Sequence, residues 1–226
     1  AVGVAARAGD HTEVSDTVTI TVHAVNDAPT FQAGVSPITL NEDATAQTAD
    51  NWATNMLPGP ATATDEAIQA LDFVVTVLNT GTLTASDFAT LPAIDPVTGT
   101  LTFLVAPNRN GEAHVSVALH DDGGTALGGA NTSAPQTLTI TVRPINDPPA
   151  LTVQSTFQST DEDTPLAFTS AGGNGISVSD PDVAEAAVEE LRVTLSVLQG
   201  SLALGTTVGL IGQSGNGTST VTFRGS

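Results

Sequence analysis

The segment Thr17-Val-Thr-Ile-Thr-Val-His-Ala-Val-Asn-Asp-Ala-Pro29 returns as Thr137-Leu-Thr-Ile-Thr-Val-Arg-Pro-Ile-Asn-Asp-Pro-Pro149, at an offset of 120 residues. The same offset carries Glu42-Asp43 onto Glu162-Asp163, and Leu71-Asp-Phe-Val-Val-Thr-Val77 onto Leu191-Arg-Val-Thr-Leu-Ser-Val197. Three segments in one register mark an internal repeat, so the chain reads as successive copies of one unit. Within the repeat apolar and polar residues alternate. Val18, Ile20 and Val22 stand against Thr17, Thr19 and Thr21, Leu101, Phe103 and Val105 against Thr100 and Thr102, and Val115, Val117 and Leu119 against His114, Ser116 and His120. A period of two puts successive side chains on opposite faces, the pattern of a half-buried strand. Asp95-Pro-Val-Thr-Gly99, Asn108-Arg-Asn-Gly111, Asp121-Asp-Gly-Gly124 and Ser214-Gly-Asn-Gly217 supply turn residues between these runs. Many short strands punctuated in this way predict an all-β chain of antiparallel sandwiches. Asp182 to Leu191, rich in Ala and Glu, is the only helical candidate and is read as a loop or a single turn.

The register also divides the chain. Residues 1–25 read as the C-terminal strands of a preceding repeat, 26–146 as one complete unit, and 147–226 as the N-terminal portion of a following repeat. Two expectations account for the partial units. The segment is an excerpt of a longer chain, or the missing strands come from another molecule, since an open sandwich exposes an edge and an apolar face. The second alternative implies head-to-tail self-assembly.

Composition narrows the function. Of 226 residues 40% are hydrophobic, but with seven Phe, one Trp and no Tyr the cores must be built mainly from Val, Leu, Ile and Ala. The formal net charge is −19, and Arg7, Arg109, Arg143, Arg192 and Arg224 are the only cations besides four His. A phosphate backbone requires a basic face, so nucleic acid is excluded as a partner and an acidic membrane surface is disfavoured. Cysteine is absent, which removes disulfides and thiolate metal sites. No run of about 18 apolar residues spans a membrane. The N-terminal residues lack the charged and apolar regions of a signal peptide, so any export signal is expected outside the segment.

The remaining chemistry lies in oxygen-bearing side chains. Asn26-Asp27 and Asn146-Asp147 stand beside prolines at the boundaries between units, and Asp65-Glu66, Asp121-Asp122, Asp161-Glu-Asp163 and Asp180-Pro-Asp182 add carboxylates in turns. Loops at one end of a sandwich converge, so these groups can meet although distant in sequence. Two carboxylates about 4 Å apart repel by roughly 4 kcal/mol at an effective dielectric of 20, a cost that a divalent cation removes. Hard oxygen ligands are what Ca²⁺ takes. Asx-turns and loop caps are the structural alternative for the same residues. His11, His23, His114 and His120 have no Ser, Cys or carboxylate at a spacing that supports a triad. The pair Glu189-Glu190 has no cleft in a single sandwich to work in. Trp52 is read as a core or loop anchor, and no enzyme is predicted.

In the order of these motifs the chain resembles the cadherin-like, Ig-like tandem repeats of large bacterial surface and type I-secreted adhesins. Asn26-Asp-Ala-Pro29 and Asn146-Asp-Pro-Pro149 are similar to the cadherin linker motif. Ile94-Asp-Pro-Val-Thr-Gly-Thr-Leu101 resembles the strand and turn before its acidic motif, Leu119-His-Asp-Asp-Gly-Gly124 a later Ala-x-Asp-x-Gly segment, and Asp180-Pro-Asp182 the Asp-x-Asp calcium motif. The resemblance implies Greek-key sandwiches arranged end to end, with Ca²⁺ at the junctions. It implies that Asn26 and Asp27 share a site with Asp65, Glu66 and Asp121 or Asp122. It also implies that Asn146 and Asp147 meet Asp180, Asp182 and Glu42. His23-Ala24, Arg143-Pro144 and Asn108-Arg-Asn110 depart from the cadherin pattern and lower the expected ion count to one or two per junction. The implied function is an extracellular or cell-surface spacer, structural or adhesive, whose partners are neighbouring repeats of the same protein and which builds a stalk or fibre. A ligand-binding module for carbohydrate or protein, and an accessory region of a secreted enzyme, are the alternatives.

Overall fold

Leu101, Phe103, Leu119, Leu138 and Ile140 are among the largest side chains fully closed off from solvent, and they belong to two different sheets. The computed structural model describes residues 2–7, 13–154, 157–184 and 190–225. Contacts divide the chain into two units, residues 1–143 and 144–226.

The first unit opens with a hairpin of β1 (Val2–Arg7) and β2 (Glu13–Val18). Then come β3 (Thr30–Ala33), β4 (Ile38–Asn41), β5 (Gln47–Ala49), β6 (Ala53–Leu57), β7 (Leu71–Leu78), β8 (Phe88–Ile94), β9 (Leu101–Val105), β10 (Gly111–Asp121) and β11 (Gln136–Arg143). One layer has the order β4-β11-β10-β7, and β4 runs parallel to β11. The facing layer is formed by β5-β9-β8 and β3-β6, with the chain bent between β5 and β6 where Asn51 takes a φ of 52°. The connections β6–β7, β7–β8 and β9–β10 each cross from one layer to the other, giving the expected Greek-key β-sandwich. The alternation is realised on both faces. Leu101, Phe103 and Val105 point inward while Thr102 is exposed, and Val115, Val117 and Leu119 are buried between half-buried His114, Ser116 and His120. Edge-to-face contacts between Phe31 and Phe73, 5.3 Å between centroids, and between Phe88 and Phe103, 6.3 Å, close the ends of this aliphatic core. Trp52 is 4% exposed and donates its indole N–H to the Val35 carbonyl at 3.1 Å, the expected anchor.

The repeated segment that opened the reading is structured differently in its two copies. Thr137–Val142 lie within β11, paired with β10 throughout and with β4 from Ile140 onward. The equivalent run leaves strand conformation after Val18, and Ile20 and Val22 are 60% and 87% exposed. Among the described residues nothing pairs with residues 19–25, and an extended backbone without a ladder partner is not held as a strand.

The second unit contains β12 (Ala150–Val153), β13 (Ile176–Ser179), β14 (Leu191–Ser196), β15 (Ile211–Ser214) and β16 (Thr220–Gly225). β12 pairs with β13, and a second sheet has the order β14-β16-β15. By the offset of 120 residues β14 corresponds to β7 and β16 to β9, which lie in opposite layers of the first unit. In the second unit these two strands pair directly, β14 antiparallel to β16. The helical candidate is a single 3₁₀ turn at Asp182–Ala184, and its continuation over 185–189 lies outside the described residues.

Candidate metal centre

Three chain segments meet at one end of the first unit: the junction residues 26–29, the β6–β7 connection and the β10–β11 connection. Pro58 and Pro60 restrict the second of these, and successive turns follow, Ala63 N–H to the Pro60 carbonyl at 2.8 Å, Glu66 N–H to Ala63 at 3.2 Å and Gln69 N–H to Glu66 at 2.9 Å. This winding turns Glu66 inward, 2% exposed, and leaves Asp65 in solvent. Asp121, the last residue of β10, is 0% exposed.

Asn26 ties the segments together. Its Nδ2 donates to Asp121 Oδ1 at 2.8 Å and to the Ala130 carbonyl at 2.7 Å, while its Oδ1 accepts from Gln69 Nε2 at 2.6 Å. The Asp27 N–H donates to Glu66 Oε1 at 2.6 Å, and the Gly123 N–H to Asp121 Oδ1 at 2.9 Å. Asp122 is exposed and accepts the Ala70 N–H at 2.9 Å, pinning the two loops to each other. Each buried carboxylate therefore uses one oxygen. Glu66 Oε2, Asp121 Oδ2 and Gln69 Oε1 are sealed from solvent with no hydrogen-bond donor. An unmatched buried acceptor costs about 1–3 kcal/mol, more when charged, so three in adjoining side chains require a common explanation.

A hard cation supplies one, because oxygens that lack donors are free to ligate. The backbone leaves room for this arrangement. A Cβ on Gly59 would overlap Glu66 Oε2, and one on Gly123 would overlap Asn26 Oδ1. Among the described residues no group of three or more His, Asp or Glu side chains is placed to hold a metal, so the cluster offers two carboxylates completed by amide oxygens. Gln69, Gly59 and Ala130 were not singled out in the sequence. Gly59 lies within Leu57-Pro-Gly-Pro60, a turn signal that could have drawn attention to it, whereas nothing local marks Gln69 or Ala130.

The other expected ligands are distributed as follows. Glu42 is 5% exposed at the opposite end of the first unit. Its N–H donates to the Arg143 carbonyl at 2.9 Å and its Oε2 accepts from Asn110 Nδ2 at 3.4 Å. Gly111 to Asp121 is a strand of 11 residues, so this end lies about 33 Å from the Glu66 cluster. Neighbouring Asp43 accepts the Asn108 N–H at 3.0 Å, which fixes Asn108 at a φ of 55°. In the second unit the Asp147 N–H donates to Asp182 Oδ2 at 2.6 Å, the same contact that Asp27 makes with Glu66. Asp180 Oδ1 accepts the Asp182 N–H at 3.1 Å, and Asn146 Nδ2 donates to the Asp147 carbonyl at 2.8 Å. The Asp180 bond is an Asx-turn, and the Asn146 bond is likewise local, from its amide to the next carbonyl.

The histidines take structural positions. His114 faces Thr139 Oγ1 at 3.5 Å, His120 Nε2 faces Asn131 Nδ2 at 3.0 Å, and His23 is exposed. His11 and Glu189 lie outside the described residues.

No protein-family model matches the chain, and no curated protein matches it. Among solved structures it is similar to the Protocadherin Gamma B2 extracellular cadherin domains 1-5, with 14% identity and a TM-score of 0.39 over 99% of this chain and 43% of that one. It is also similar to Protocadherin gammaB7 EC3-6 in a cis-dimer structure, with 12% identity and a TM-score of 0.30 over 87% and 38%. For the Protocadherin GammaB4 extracellular domain the values are 11% and 0.33 over 93% and 32%. The chain spans less than half the length of each of these structures.

Proposed function

We propose that the chain is a structural and adhesive repeat of an extracellular protein, stiffened where the junction segment meets the loops by a bound Ca²⁺, and that it is not catalytic. The observation that carries this reading is the set of buried oxygens without donors on Glu66, Asp121 and Gln69. Glu66 and Asp121 would supply charge, and Asn26 and Gln69 neutral oxygens. The metal contributes electrostatic cross-linking only. The protein's own part is to hold residues 26–27 against two loops through the Asn26 and Asp27 bonds, so the chain leaving a preceding repeat is fixed in direction. Two carboxylates make a weak site, suited to the roughly 10⁻⁴–10⁻³ M affinities of extracellular calcium modules. The repeat, the lack of Lys and the charge of −19 fit a spacer whose neighbours are further copies of itself.

The test is a calcium titration of the melting temperature starting from chelator. At about ten times Kd a ligand specific to the folded state contributes about 1.4 kcal/mol, and a rise of several degrees is expected. Glu66→Gln abolishes most of that rise while leaving the protein folded in chelator. An identical calcium response in wild type and Glu66→Gln would falsify the assignment.

A further inference from the structure

The second unit carries a different cluster of charge. The antiparallel register of β14 and β16 sets Arg192 directly opposite Arg224, two of only five basic residues in a chain of net charge −19. Like charges at directly opposed positions destabilise a strand pair. With 24 acidic residues in the chain, neither guanidinium has a carboxylate within 4 Å among the described residues, whereas Arg109 in the first unit pairs with Asp87 at 3.3 Å. The two arginines line a cleft of about 310 Å³ together with Ser214, Thr222 and Glu190. On the same face Thr194 Oγ1 and Thr222 Oγ1 lie 3.1 Å apart, so hydroxyls continue the polar ladder away from the guanidinium pair. β15 flanks Arg224 with Ile211 and places Ser214 beside Thr222.

Paired guanidinium forks bind planar or tetrahedral oxyanions through parallel N–H···O bonds, which a single ammonium cannot do. Adjacent Ser and Thr hydroxyls both donate and accept, which suits a polyhydroxylated ligand. We propose that this cleft binds an acidic saccharide. Its carboxylate or sulfate group bridges Arg192 and Arg224, and its hydroxyls meet Thr222 and Ser214. The anion relieves the repulsion between the arginines, so ligand and strand pairing stabilise each other. Glu190 also lines the cleft and opposes any anion there, so a ligand must engage both guanidinium groups to be held. The proposal is independent of the cation site, because it concerns the other unit and needs no metal.

The test uses the whole chain in chelator at about 0.15 M salt, so calcium cannot bridge acidic ligand to acidic protein. Fluorescently labelled oligogalacturonate, dextran sulfate, neutral dextran and poly-glutamate are titrated by polarisation. Binding of at least one anionic saccharide is expected, with affinity at least ten-fold lower in Arg192→Gln and in Arg224→Gln. Arg109→Gln, whose partner is Asp87, leaves it unchanged. Arg192→Lys, which keeps the charge but not the fork, loses at least three-fold. Preference between the carboxylated and the sulfated probe identifies the group. No binding of either, equal binding of neutral dextran, tighter binding of poly-glutamate than of both saccharides, or full affinity in both Gln variants each overturns the proposal.

Discussion

Asp121 ends β10 with one oxygen committed to Asn26 and Gly123 and the other left without a donor, and that asymmetry sets what each neighbouring residue can tolerate. Gly123 is one such residue. Any Cβ there overlaps Asn26 Oδ1, so Gly123→Ala must displace the amide that joins Asp121 to Gln69. The expected result is at least a ten-fold weaker calcium midpoint, read by terbium competition, with a melting temperature in chelator within a few degrees of wild type. Two aspartates elsewhere contribute to the acid sensitivity of the fold. The backbone N–H of Thr84 holds the Asp87 carboxyl below the usual carboxylate range against the opposing effect of desolvation, with smaller help from the Thr84 hydroxyl and Arg109. Asp95 is lowered by the N–H groups of Thr98 and Val97, each at 2.8 Å. A carboxyl whose folded pKa is depressed stabilises above its unfolded value, about 3.9, and loses that contribution as pH falls through the folded value. The melting temperature therefore falls on acidification below about pH 4, and Asp87→Asn makes that fall shallower. An unchanged acid slope in Asp87→Asn would remove this residue from the account.

At the scale of elements, β9, β10 and β11 carry the first unit, because most of their inward residues are fully closed off from solvent. Truncating such a side chain loses its transfer energy and leaves a cavity. Leu138→Ala should cost about 2–5 kcal/mol and Phe103→Ala about 3–5 kcal/mol in urea unfolding. Val97→Ala in the β8–β9 turn, 85% exposed, should stay within about 0.5 kcal/mol. The alternation that marks these strands also marked Val18, Ile20 and Val22, yet only the copy at Leu138, Ile140 and Val142 is buried. Identical local patterns diverge because burial of a strand depends on which strands flank it. β14 and β16 match β7 and β9 in sequence, yet they pair directly where β7 and β9 lie in different layers, and the register sets Arg192 opposite Arg224.

At the scale of the molecule the dominant quantity is charge. At −19 the chain repels itself, and salt screens exposed charges over about 10 Å at 0.1 M. Sodium chloride between about 0.01 and 0.15 M should raise the melting temperature. Calcium at matched ionic strength should raise it further and saturate, because screening is gradual while ligation is stoichiometric. A calcium effect no larger than that of magnesium or of extra sodium would show that screening alone is at work.

The sequence by itself determined the all-β class, the repeat, the alternation that picks out Leu101, Phe103, Val115 and Ile140 as core, and the lack of thiolate sites, since these depend on period and composition. It also named Asn26, Asp27, Glu66 and Asp121, because acidic turns at unit boundaries are visible in one dimension. Only the tertiary structure decided that Glu66 turns inward and Asp65 outward, that Gln69 and the Ala130 carbonyl join them, and that Glu42 and Glu66 stand at opposite ends of the first unit. Those outcomes depend on the path of two loops and on partners 39 to 104 residues away in sequence, which no local pattern encodes.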